Sequence, residues 1–134
     1  MISKLSILLV LLTTSAVLLS SCQYGNEREE ERSEMEEARK EILSEYEELI
    51  NDIDERIEEI DNRMEGASDE LREGLEGARK ELLDERSELE KARDDIKGAS
   101  NDTWDDVRDS AENTYASVRD GVQRIAQDIE GWFE

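Results

Sequence analysis

Residues 35–64 read MEEARKEILSEYEELINDIDERIEEIDNRM. The apolar series Met35, Ala38, Ile42, Tyr46, Leu49, Ile53, Ile57, Ile60 and Met64 runs through this stretch. Its steps are 3, 4, 4, 3, 4, 4, 3 and 4 residues. That spacing is an eleven-residue repeat, about 3.67 residues per turn, which suits a nearly straight helix. A strand alternates faces with period two and could not hold this set on one side. The stretch therefore reads as a long amphipathic helix, and the whole chain has no Pro to interrupt it.

Asn26 with Glu29 and Ser33 with Glu36 are candidate capped starts, in which a side chain binds the first free backbone N–H groups. A first helix is expected over about 27–65. Acid-before-base pairs four residues apart, Glu36–Lys40, Asp52–Arg56 and Glu59–Arg63, add a few tenths of a kcal/mol each. Gly66 can close this helix and Ser68 can cap the next. The pattern resumes at Leu71, Leu75, Ala78, Leu82, Leu89, Ala92 and Ile96. Here Ala78-Arg79-Lys80-Glu81-Leu82-Leu83 echoes Ala38-Arg39-Lys40-Glu41-Ile42-Leu43, by duplication or by shared bias in composition. A second break lies at Lys97-Gly98-Ala99-Ser100-Asn101-Asp102, and it repeats the Gly-Ala-Ser of the first. Beyond it the apolar set is Trp104, Val107, Ala111, Tyr115, Val118, Val122, Ala126, Ile129 and Phe133, out of phase with the first series. Asp102, Asp105 and Asp106 suit the positive end of a third helix, and Lys97 the negative end of the second.

These readings predict an all-α domain over 27–134 with helices at about 27–65, 69–97 and 102–133. Short breaks favour antiparallel neighbours, so an antiparallel three-helix coiled coil is expected. The alternative is a two-helix hairpin in which 27–97 forms one rod, because Gly-Ala-Ser can also sit inside a helix. A narrow apolar stripe can equally be covered by a second chain.

Composition removes several classes of function. The 134-residue chain has 38 acidic and 17 basic side chains, a net charge of −21, one Cys and no His. Triads and dyads that use His, and His metal sites, are excluded. One Cys allows neither an internal disulfide nor a Cys-rich zinc site. The acidic balance argues against nucleic acid as a partner, since phosphate binding needs a basic surface. Carboxylate pairs such as Asp94-Asp95 and Asp105-Asp106 occur without any Asp-x-Asp-x-Asp-Gly loop. They read as solvated helix faces, so no metal, cofactor or enzymatic activity is expected. Four of the six aromatic residues, Trp104, Tyr115, Trp132 and Phe133, gather in the last segment. Trp104, Tyr115 and Phe133 fit the core phase. Trp132 is off phase and is the candidate for an exposed partner contact.

Residues 1–21 differ from the rest. Lys4 is their only charged side chain, and the apolar run Ile7-Leu8-Leu9-Val10-Leu11-Leu12 is followed by small residues. A basic start, an apolar stretch and a small-residue end describe a secretory signal peptide. Thr13, Thr14 and Ser15 interrupt the run, which falls short of the ~20 residues of a membrane span. The segment closes with Leu19-Ser20-Ser21-Cys22, which resembles a bacterial lipobox. The resemblance implies lipid on the Cys22 thiol, cleavage before Cys22 and acylation of the new amine, with 22–26 as a short linker. Residue 23 is Gln rather than Asp. By analogy with enterobacterial sorting, that implies delivery to the outer membrane, facing the periplasm.

Lys97-Gly98-Ala99-Ser100-Asn101-Asp102-Thr103-Trp104-Asp105-Asp106-Val107-Arg108, followed by Val118-Arg119-Asp120-Gly121-Val122, is similar to the end of small bacterial coiled-coil stress-response proteins. Those carry Ala-Ser-x-x-x-Trp-acid-acid-aliphatic-basic after long charged helices. The similarity implies a helical fold and a role under stress, and no reaction. A lipobox ahead of a helical rod also resembles the murein lipoprotein type. This chain departs from that type in ending Gly131-Trp132-Phe133-Glu134, without the Lys that joins peptidoglycan. The combined expectation is a non-enzymatic lipoprotein of the bacterial envelope, held to the membrane through Cys22. Its coiled coil would serve a protein partner or self-association. The alternative is a lipid-associating protein resembling the exchangeable apolipoproteins, which also use eleven-residue repeats.

Overall fold

The computed structural model describes residues 2–134, with side chains from residue 27 onward. The chain forms three helices, α1 (Ile2–Met64), α2 (Asp69–Gly98) and α3 (Trp104–Trp132). The side chains of the expected signal peptide over 1–21 and of the 22–26 linker, those of Leu19, Ser20, Ser21 and Cys22 included, lie outside what the structure describes. Two compact units divide the chain, one ending at Glu37 and one spanning Ala38–Glu134. In the first unit the side chains of 27–37 are exposed apart from the half-buried Met35. The second unit is the helical bundle.

The first turn follows from its residues. Gly66 adopts φ of +83°, a left-handed conformation that costs a glycine nothing. The Ala67 N–H donates to the Met64 carbonyl at 3.3 Å, and the Arg72 guanidinium reaches the same oxygen at 3.5 Å. Ser68 caps α2, its Oγ accepting the Leu71 N–H at 3.3 Å. A break of this kind reverses the chain, so the single rod over 27–97 is not formed and the bundle has three helices. The second turn is tied by Ser100 and Thr103. The Ser100 N–H donates to Thr103 Oγ1 at 3.0 Å, and the Thr103 N–H donates to the Ser100 carbonyl at 3.2 Å. Asp102 lies in this turn, so α3 opens two residues later than expected, at Trp104.

Pairings between helices fix their directions. Arg79 meets Asp61 at 3.0 Å, Arg86 meets Asp54 at 2.9 Å and Arg93 meets Glu47 at 3.0 Å. Residue numbers rise on α2 as they fall on α1, so these helices are antiparallel. Arg39 lies over Trp104, and the Tyr46 hydroxyl donates to the Ala111 carbonyl at 2.5 Å. Here the numbers rise together, so α3 runs parallel to α1 beyond residue 38. Trp132 lies on Gly74, which makes α3 antiparallel to α2. The result is an up-down-up three-helix bundle.

The core follows a period of seven, not eleven. On α2 the residues that lose all solvent contact are Leu75, Leu82, Leu89 and Ile96. On α1 they are Tyr46 and Ile53, with Ile60 nearly so. On α3 Trp104, Ala111, Val118 and Ile125 form one buried row, and Val122 and Ile129 a second. Ile60, Leu82, Ile125 and Ile129 surround a cavity of about 50 Å³, so all three helices contribute to that layer. The eleven-residue reading fails in particular places. Ile125 is buried in place of Ala126, Ile50 is buried, Ile57, Val107 and Tyr115 sit at the edge, and Phe133 is 46% exposed. Steps of three and four fit both periods over a few turns. Packing against two neighbours selects seven, the repeat that stays on a partner as helices wind around each other.

Leu82 and Leu83 provide the direct check. Leu82 is wholly buried and Leu83 is 39% exposed. Leu82→Ala is expected to cost about 2.7–5 kcal/mol in urea unfolding, as buried Leu truncations do. Leu83→Ala is expected to stay within about 0.5 kcal/mol of the parent.

Candidate functional site

The two ends of α3 present different surfaces. At its start, the Arg39 guanidinium stands 5.5 Å from the centre of the Trp104 ring and donates to the carbonyls of Lys97 and Ala99 at 3.3 and 2.7 Å. A cation thus closes the negative end of α2, whose last carbonyls have no partner within the helix. Trp104 is 6% exposed and belongs to the core. Arg39 was not legible as a bridge, because it looks like one more surface base in a charged run.

At the far end, Trp132 is 42% exposed and Phe133 is 46% exposed. In the period of seven, Trp132 is in phase with Trp104, Ala111, Val118 and Ile125. It stays half-open because α2 offers Gly74 there, and a Cβ on Gly74 would lie 3.4 Å from the indole ring. Phe133, expected inside, is one position past the seam and past the end of α3. Arg63 covers it, with the guanidinium 4.7 Å from the ring centre, instead of pairing with Glu59. Among the other helical pairs expected, Asp52–Arg56 forms at 3.0 Å.

Two polar features are built into the bundle. Tyr46 is fully buried, tilted against Tyr115 with ring centres 6.0 Å apart, and burial pushes its hydroxyl up to about 12. Glu85 is half-buried on α2, opposite Gly121 of α3. A Cβ on Gly121 would stand 2.8 Å from Glu85 Oε1, so the glycine makes room for the carboxylate. Loss of hydration raises the Glu85 carboxyl above the usual carboxylate range, helped by Glu88, Asp84 and Glu81, and opposed by Arg124.

The bundle brings Asp94, Asp95 and Asp106 to one groove of about 410 Å³ between α2 and α3. Its floor is made of small residues such as Ala92, Gly98 and Ala111. Among the described residues no three His, Cys, Asp or Glu side chains are arranged to hold a metal ion. Among the same residues no helix is long and apolar enough to cross a membrane. The side chain of Cys22, the expected lipidation site, lies outside what the structure describes. Comparisons of the chain with protein families, with curated proteins and with solved structures give no match.

Glu85 generates a pH dependence. An acid whose folded pKa is raised keeps its proton in the folded state after the unfolded chain has lost it. Stability therefore falls as pH rises through the folded value, and ionised Glu85 works against the fold at neutral pH. Glu85→Gln is expected to melt above the parent at pH 7, with the gap closing as both are taken towards pH 4. Gly121→Ala is expected to raise stability by up to about 1 kcal/mol, through helix propensity and by turning the flexible Glu85 carboxylate out to water. Thermal melts followed by circular dichroism across this pH range check both.

Proposed function

We propose that the protein is a non-enzymatic lipoprotein of the bacterial cell envelope, with an acidic helical bundle tethered to the membrane through acyl chains on Cys22. The observation that carries this reading is the tetrapeptide Leu19-Ser20-Ser21-Cys22 at the end of the apolar leader, with the only Cys of the chain at its last position. Each buried methylene contributes about 0.8 kcal/mol, so two or three chains anchor stably where one would not. Gln23 after the modified residue favours the outer membrane, with the bundle facing the periplasm.

The bundle suits a spacer or adaptor. Its core residues, from Ile42 to Ile129, are covered by one another, and its outer faces are charged. A protein of the apolipoprotein kind would hold its stripe open for lipid. Here Leu75, Leu82, Leu89 and Ile96 are already enclosed, which favours the tethered bundle. The similarity around Trp104 adds a role under envelope stress, exercised through a protein partner or a second copy.

The test is acylation in a bacterial host. The parent is expected to incorporate labelled palmitate, to run as a shortened mature form and to fractionate with membranes. Cys22→Ala is expected to carry no label and to remain at precursor length. Equal labelling of both, or of neither, would overturn the reading.

A further inference from the structure

We propose that the notch beside Trp132 is a binding site for the guanidinium of an arginine side chain presented by a basic polypeptide. The notch is a cavity of about 190 Å³ at the end of α3. The Trp132 indole forms one wall, Gly74 and Gly77 of α2 lie along another side, and Glu73, Glu81 and Asp128 surround it. No basic side chain lines it. None of the three carboxylates has a hydrogen bond or ion pair among the described residues.

Three observations point to this occupant. The first is what the bundle does with its other rings at the ends of α3. Arg39 covers Trp104 and Arg63 covers Phe133, both guanidinium over ring. Among the described residues Trp132 has no cation over it. The second is Gly77. A glycine inside a helix is costly relative to alanine. Gly74 has a reason within the chain, since the Trp132 ring lies against it. Gly77 has none, because a Cβ there would meet nothing within 4 Å. It lines the cavity without a side chain. The third is charge. A ring face beside three unpaired carboxylates is the environment that holds an organic cation. Guanidinium fits better than ammonium, because it stacks flat on an aromatic face and offers a fork of donors to carboxylates. The net charge of −21 draws basic polypeptides towards the bundle before any contact forms. The site stands on the bundle geometry alone and does not depend on lipid at Cys22.

The test uses the ¹⁵N-labelled full chain in a non-ionic detergent. It is titrated with the blocked pentapeptide Gly-Gly-Arg-Gly-Gly and followed by two-dimensional NMR. Saturable shifts are expected at the Trp132 indole N–H and at the Gly74 and Gly77 amides, with the Trp104 indole unmoved. Trp132→Ala and Gly77→Leu are each expected to weaken binding at least tenfold. Gly77→Leu is expected to retain the helical circular dichroism of the parent, because a Cβ there meets nothing within 4 Å. Glu85→Gln, outside the notch, is expected to bind as the parent does. The peptide with Lys in place of Arg is expected to bind at least threefold more weakly, and blocked arginine alone likewise. Shifts that spread over the acidic faces, do not saturate and survive Trp132→Ala would show diffuse attraction and overturn the site. Blocked arginine binding as tightly as the peptide would overturn the polypeptide as its occupant.

Discussion

Everything in this bundle depends on a seam of aliphatic side chains at seven-residue intervals on α2. Leu75, Leu82, Leu89 and Ile96 lose all contact with water. Burying such a side chain fully stabilises by about 1.5–3 kcal/mol. In a chain that is 41% charged, this seam and the rows facing it are the main source of cohesion. They must hold together a molecule with 38 carboxylates, whose mutual repulsion favours expansion. Each helix alone would present a narrow stripe to water. Three together close it, and the middle helix closes it on both sides.

Polar contacts then select one arrangement among those that close the seam. Arg79, Arg86 and Arg93 stand seven apart on α2 and meet Asp61, Asp54 and Glu47, which stand seven apart on α1. Each pair is about as exposed as surface ion pairs generally are and adds little stability, about 0–1 kcal/mol. Their contribution is to register, since a slip by one turn would break all three together. Gly66 sets the first reversal through its left-handed backbone, and Arg39 ties the end of α2 to the start of α3. The Tyr46 hydroxyl, bonded to the Ala111 carbonyl, adds a buried directional contact between α1 and α3. Hydrophobic burial is not directional, and these contacts supply the direction.

The helices and the three-helix architecture were legible because apolar spacing and the two Gly-Ala-Ser breaks are local signals. The period was not. Met35 to Met64 can be divided into elevens or sevens over so short a run, and only the neighbours decide which residues are enclosed. That is why Ile125 rather than Ala126 faces inward, and why Phe133 is outside. The turn at Gly66 was legible as a candidate, and its left-handed conformation is what separates it from a glycine inside a rod. Contacts that join distant residues left no local trace. Arg39 over Trp104, Glu85 against Gly121 and Gly74 under Trp132 each bring together positions on different helices. A glycine paired with a large or charged side chain across a bundle is visible only once the register is known. The one signal available beforehand was the presence of Gly74, Gly77 and Gly121 within otherwise strong helical patterns.

The proposed anchor and the acidic bundle divide the labour of the molecule. With its seam enclosed by its own three helices, the bundle is expected to need neither lipid nor a second chain to fold. The most direct test combines circular dichroism with sedimentation equilibrium on residues 23–134 in buffer without lipid. A strongly helical monomer that melts cooperatively is expected. A largely disordered chain, or helicity found only in an oligomer or with added lipid, would contradict it.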